Sequence, residues 1–397
     1  MEKVVSVVGN VAFPTARRDE ENSDRLSHTY TTAILLVFSI VVTGTNLVGE
    51  TINCWVPAHF SDGWEAYTNS YCWVSNTYYL PFDKSIPKPN EDVGQRHIEY
   101  YQWVPIMFLV MGFFFFIPAL FWRAMNTKSG IDIESIVEEA ENFEHIGKQE
   151  KRKQTLDYII EMFTRYVRAR REVSKDMTCS LKNLIACSCF CCSRQRGTYL
   201  VACYLVTKAL YIINACLQII ALNYFLNHNF YMYGLRELKN LIYNTESSGS
   251  ITFPRVTMCD LKVRVVGNVQ RYTVQCVLPI NLFNEKLFLF IWFWIVVVIF
   301  ILVISFVKHF SFAVTNQLAY VNKHLKFTKY RVLSDDENLR RFAVNYLAVD
   351  GVFILRIIGS NTNSLIVTEI VKELWEHYNK ATNYNTSSQS SLPEYPS

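Results

Sequence analysis

Four stretches of this chain are too long and too apolar for the core of an ordinary soluble domain, and they constrain everything else. Roughly 20 mostly apolar residues in helix are needed to cross about 30 Å of hydrocarbon. Thr31 to Gly49, Val104 to Trp122, Tyr199 to Leu226 and Leu287 to Val307 reach that length, the third interrupted only by Lys208 and the others free of charge. The preceding MEKVVSVVGNVAF is too short and lacks the small-residue cleavage site of a secretory signal, so the first span is expected to drive its own insertion.

Averages conceal this pattern. Over 397 residues the chain is 50 % hydrophobic with a net charge of +4 and a mean hydropathy of +0.10, because charged connections offset the spans. Half the residues being apolar excludes global disorder, and low Gly (14) and Pro (11) exclude a collagen-like or low-complexity chain. The charge is too weak for a nucleic-acid-binding face, so no nucleic-acid partner is expected.

Lys and Arg set the orientation. They are sparse in the connections 50–103 and 227–286 and dense in the N-terminal arm, in 123–198 and in the tail from Lys308. Arg123 and Lys128 follow the second span, and Arg194 and Arg196 precede the third. By the positive-inside rule both termini and the middle connection are cytoplasmic. The expected fold is a mainly α membrane protein: four transmembrane helices, a small disulfide-stapled extracellular α/β cap and a helical cytoplasmic domain. Its segments are a cytoplasmic arm (1–30), spans at 31–49, 104–122, 199–226 and 287–307, outer loops at 50–103 and 227–286, a cytoplasmic loop (123–198), a helical tail (308–380) and a disordered end (381–397).

Of 11 Cys, Cys54 and Cys72 lie in the first outer loop and Cys259 and Cys276 in the second. An even set on the oxidising side predicts disulfides, with three pairings open. In the second loop Lys262 to Val265 alternates polar and apolar, Gly267-Asn268 signals a turn, and Tyr272 to Cys276 resumes an extended pattern, which predicts a hairpin. Cys179, Cys187, Cys189, Cys191 and Cys192 cluster before the third span. Crowded spacing without a separated partner pair argues against zinc, leaving palmitoylation or reduced structural thiols.

Polar side chains inside the spans are the candidate pore. Thr32, Ser39, Thr43 and Asn46 share one face of the first span, and either ease helix packing or face water. Thr207, Tyr211, Asn214 and Gln218 form a second stripe beside Lys208, a charge that marks a bundle interior or cavity, or else snorkels to the interface. In the arm, Lys3, Ser6 and Asn10 share a face opposite Val4, Val8 and Val11, making it amphipathic and a candidate to lie on the membrane or line a channel mouth. No H-E-x-x-H, G-x-S-x-G, Walker loop or dinucleotide fingerprint occurs, and the His are dispersed, so no enzyme, metal site or cofactor is expected. In the cytoplasmic parts, Ile133 to Glu139 and Leu156 to Val167 carry helical periodicity. Ser334 and Glu337 form a capping-box pattern ahead of Leu339, Phe342, Tyr346 and Leu347, and a helix from about Ser364 to Tyr378 is expected to turn Leu365, Ile370, Leu374 and Trp375 inward.

At Tyr100-Tyr101-Gln102-Trp103-Val104-Pro105 the chain resembles the innexins, the invertebrate gap-junction family related to the pannexins, whose YYQWV signature it matches. Cys54-Trp55 with Cys72, the run Cys276 to Lys286 and Asp350-Gly351-Val352-Phe353 are similar to further motifs of that family, and the likeness covers about residues 24–376. The resemblance implies loop-to-loop disulfides, Cys54 with Cys276 and Cys72 with Cys259. It also implies a homo-oligomeric ring of eight subunits in the plasma membrane, docking with an opposing hemichannel and open to mixed assembly with other innexins. The pore lining would be the arm and first span, and Glu50, Asp62 and Glu65 near the outer mouth would favour cations or be solvated loop carboxylates. Three functions compete: a junction passing ions and small metabolites between cells, an unpaired hemichannel releasing small molecules, and a non-conducting adhesion or scaffold protein. Neither outer loop holds an Asn-x-Ser/Thr site, which favours docking.

Overall fold

A computed structural model describes residues 20–81, 83, 85–86, 96–145, 149–176, 197–226, 230–243, 252–315, 317–326 and 337–389. The long apolar runs form helices, three of which extend well past the expected spans, while that of the third run matches its span to within one residue. These are α1 (Asn22–Val48, with a π-helical stretch at Leu26–Tyr30), α3 (Val104–Thr127), α6 (Tyr199–Phe225) and α8 (Pro279–Thr315). Apolarity marks where a helix meets hydrocarbon, whereas a helix ends where its backbone finds a stop, and the flanking residues here supply none before Gly49 or after Pro279. The chain divides into two compact units, and the division falls within these four helices.

One unit holds 30–116 and 213–300. Its antiparallel sheet has the order β1-β5-β4-β2-β3, with β1 Asn53–Trp55, β2 Thr77–Tyr79, β3 Arg96–Ile98, β4 Val256–Val265 and β5 Asn268–Val277. The expected hairpin is β4–β5, but its turn is Val266-Gly267, one residue earlier than Gly267-Asn268, because Asn268 already pairs with Val265. Two-residue hairpin turns of this hand need positive φ at both central positions, and Val266 (45°) and Gly267 (86°) supply it. Helix α2 (Asp62–Val74) packs on β4 and β1. Helix α7 (Tyr233–Tyr243) begins against α8, where a Cβ on Gly234 would lie 2.1 Å from the Trp292 ring, so only glycine permits this approach.

The other unit holds the described parts of 1–29, 117–212 and 301–397. Helices α4 (Ile133–His145), α5 (Gln149–Asp176), α9 (Gln317–Lys326), α10 (Glu337–Asn361, π-helical over Arg341–Leu347) and α11 (Ser364–Gln389) enclose one core. Ile136, Phe163, Val321 and Leu374 converge there on Phe353, Ile354 and Leu355 of α10. From Tyr346 to Ile358, α10 is buried at every residue except Val349 and Arg356 and is mostly apolar, as buried helices are. It is thus a fifth helix long and apolar enough to cross a membrane, but 72 % of its apolar window is buried, against 28 to 39 % in the other four.

Two expectations about the tail need correction. Leu365 is 70 % exposed, and the inward face of α11 is carried by Ile366, Val367, Ile370, Val371, Leu374 and Trp375. The helix also runs past Tyr378 to Gln389, through residues expected to be disordered, because no Gly or Pro interrupts the chain before Pro393. Lys3, Ser6, Asn10, Ser334 and the Cys179 to Cys192 cluster lie outside the described residues.

Candidate functional site

The four loop cysteines form two disulfides, Cys54–Cys276 and Cys72–Cys259. Cys54 and Cys276 face each other on β1 and β5, and Cys72 near the end of α2 reaches Cys259 on β4, so both bonds join the first loop to the second. With Ile52, Val274 and Leu278 they make a small core of their own. Each bridge closes a loop of 222 or 187 residues, the long-loop case in which cross-linking most restricts the unfolded chain.

The Tyr100 to Pro105 segment ties this cap to α3. Tyr101 is fully buried and its hydroxyl donates to the Trp73 carbonyl at 3.1 Å, next to Cys72. Burial pushes that hydroxyl up to about 12, which keeps it a donor. Gln102 Nε2 donates to the same carbonyl, and Tyr100 donates to the Thr252 carbonyl at 3.0 Å. Val104 is buried, Trp103 is 57 % exposed, and the Pro105 carbonyl accepts from Ser39 of α1 at 3.0 Å. The signature is therefore a brace that holds both loops on the start of α3.

The stripe of α1 divides between two roles. Ser39 is buried, and Thr32 donates to the Gly112 carbonyl at 3.2 Å, so these two are packing contacts with α3 and do not face open space. Thr43 is exposed and bonds the Ser39 carbonyl of its own helix, while Asn46 Oδ1 is buried with no hydrogen-bond partner among the described residues. Glu50 accepts from Asn53 at 2.8 Å; Asp62 and Glu65 lie exposed in the first turn of α2, where acidic groups complement the helix dipole.

Lys208 neither snorkels nor lies bare. Its side chain is fully buried, with Asp24 Oδ1 at 2.8 Å, Glu21 Oε2 at 3.2 Å, and Ser23 and Ser305 hydroxyls each accepting at 2.7 Å. Asp24 also accepts from Tyr204 at 2.7 Å, and Glu21 meets Lys308 at 3.0 Å and His309 at 2.9 Å. Burial alone would raise the Glu21 carboxyl, but the His309 hydrogen bond and the Lys208 charge hold it well below the usual carboxylate range. The cluster fastens the start of α1 to α6 and α8. Glu21 and Asp24 lay outside every stripe considered in the sequence; the signal was an unpaired lysine in one span with acidic residues just ahead of another.

The family model for innexins matches residues 20–378. This chain belongs to the innexin family. It is 38 % identical to Innexin unc-9 of Caenorhabditis elegans, over 91 % of this chain and 92 % of that protein. It is 33 % identical to Innexin eat-5 and to Innexin-3 of the same organism, each over 91 % of this chain and over 88 % and 84 % of those proteins. As an innexin it is a gap-junction channel subunit, a multi-pass plasma-membrane protein that works as an oligomer and is not an enzyme.

The fourth innexin-like motif, Asp350 to Phe353, has a structural task. Asp350 is fully buried and its carboxylate accepts from the Val201 backbone N–H at 3.2 Å, in the first turn of α6, and from the Tyr166 hydroxyl at 3.1 Å. A carboxylate on a helix N-terminus satisfies orphan donors and complements the positive end of the helix dipole. Nearby, the buried Arg170 guanidinium donates to the carbonyls of Asn345, Tyr346 and Leu347, closing the π-helical end.

Proposed function

We propose that this innexin forms intercellular channels by docking two octameric rings through the disulfide-stapled cap, and that ions and small metabolites pass between cells. The observation that carries the reading is the cap itself: two loops distant in sequence joined by two disulfides and a shared sheet, with the β4–β5 hairpin ending in the fully exposed Val266. A preorganised surface of that kind lowers the ordering cost of docking. The absence of glycan acceptors in both loops points the same way.

Four spans, with both termini cytoplasmic, follow from the Lys and Arg distribution and from the burial of α10 among other helices, which argues against a fifth crossing. The pore wall is assigned to the arm, through Lys3, Ser6 and Asn10, and to the Thr43 and Asn46 end of α1, with Glu50, Asp62 and Glu65 biasing the outer mouth toward cations.

Paired cells expressing the chain are expected to pass current and small dye, and Cys54→Ser to abolish both, since losing a native disulfide typically costs about 2–5 kcal/mol. Normal coupling by Cys54→Ser sinks the stapled-cap model. Uncoupled pairs whose single cells leak dye make the protein an unpaired hemichannel, and silence in both assays leaves an adhesion protein.

A further inference from the structure

Beyond Val307, α8 continues through Lys308, His309, Phe310 and Ser311. Lys308, Ser311 and Phe312 of this extension, Tyr320 and Lys323 of α9, and Arg356 of α10 line a cavity of about 500 Å³ with no carboxylate in its wall. Lys308 shares its charge with Glu21, but among the described residues neither Lys323 nor Arg356 takes part in an ion pair. The Arg356 guanidinium lies over the Phe312 ring, 4.4 Å from its centroid, which fixes the plane of its donor fork without satisfying it. Glu21 offsets Lys308 by direct contact and Arg356 only from a distance, so the three cations share one carboxylate and the wall can take a further anion.

A second observation says what carries the anion. Val303, Val307, Phe310 and Val314 follow one another along one side of α8 and are 41 to 68 % exposed. This apolar row runs alongside Ser311, which Lys308 precedes by one turn, at the end of the most apolar of the described helices. Free phosphate compounds have no use for such a row, whereas an acyl chain does.

We propose that this cavity binds the phosphate-bearing headgroup of an anionic phospholipid, whose acyl chains lie on the apolar row of α8. Basic pockets beside membrane helices on the cytoplasmic side recognise such headgroups, each cation near the surface contributing about 1 kcal/mol. The inference rests on the reading that α8 crosses the bilayer and ends at its cytoplasmic face.

The test uses the full chain in detergent, titrated with dioctanoyl phosphatidylserine, dioctanoyl phosphatidylcholine and glycerophosphoserine, with binding followed by native mass spectrometry. The serine lipid is expected to bind best. Lys323→Gln is expected to weaken it about fivefold, and Lys323→Gln with Arg356→Gln about 30-fold. Lys372→Gln, matched in charge change and outside the cavity wall, is expected to leave it unaltered. Equal binding of the two lipids, equal binding of glycerophosphoserine, or no loss in Lys323→Gln overturns the proposal; the single exposed variant keeps the test valid if the double one fails to fold. A membrane-impermeant maleimide on Lys323→Cys in intact cells tests the topology separately, because labelling from outside would overturn the orientation while leaving the detergent result to judge the site.

Discussion

Lys208 shows how a charge is kept inside a membrane protein. Removing an ammonium from water costs several kcal/mol, and here two carboxylates and two hydroxyls replace the lost solvent. Breaking such a set from one side is worse than never building it. Lys208→Met should leave Asp24 buried beside Tyr204 with no cation in contact, and a loss of about 3–5 kcal/mol is expected, read as a lower midpoint of thermal unfolding followed by tryptophan fluorescence. Adding Asp24→Asn should return part of that stability; a double variant weaker than the single one would contradict the assignment. Glu21 adds a pH dependence. Its folded carboxyl is held below its ordinary value of 4.5, so its stabilisation is complete above that pH and is lost as the pH falls beneath it. The melting midpoint should therefore drop on acidification below about pH 4.5, and Glu21→Gln should flatten that dependence.

At the scale of elements, much was readable because it depends on local pattern. The four apolar runs, the amphipathic helices α4 and α5, and the β4–β5 strands each declare themselves by periodicity over neighbouring residues. What escaped depends on partners far away in the chain. Periodicity leaves Ser39 and Thr32 either packing or facing water, and packing takes them because their acceptors lie 66 and 80 residues on, in α3. The face of α11 moved off Leu365 because Ile366 and Val367 meet the core, a choice that packing makes and periodicity alone does not. Asp350 belongs to the same class, since it caps a helix that begins 151 residues before it, a distance no capping box spans. Asp350→Ala is expected to cost about 1–3 kcal/mol and to speed hydrogen exchange at Leu200 and Val201 specifically. Asp350→Asn, which keeps one acceptor, should restore part of the protection, and unchanged exchange in the alanine variant would remove the capping role.

For the whole molecule, the sequence placed the cysteines, but the family resemblance supplied their pairing, and the structure joins the same partners. The β4–β5 hairpin of this stapled cap ends in the exposed Val266, and that tip tests topology and docking together. Val266 holds φ at 45°, a conformation that suits asparagine far better than a β-branched residue. Val266→Asn with Asn268→Thr keeps an Asn-Gly turn and creates a glycan acceptor where neither loop has one. If the hairpin is extracellular, the variant should gain mass that an endoglycosidase removes. A bulky glycan at the tip should then separate the two activities, because docking needs the two caps in contact whereas conduction through an unpaired ring does not. Coupling between paired cells is expected to fall while dye uptake by single cells persists, and Val266→Asn alone, which gains no acceptor, should couple normally. A glycosylated variant that still couples fully would move the docking surface away from the hairpin, and an unglycosylated one would place the sheet on the cytoplasmic side.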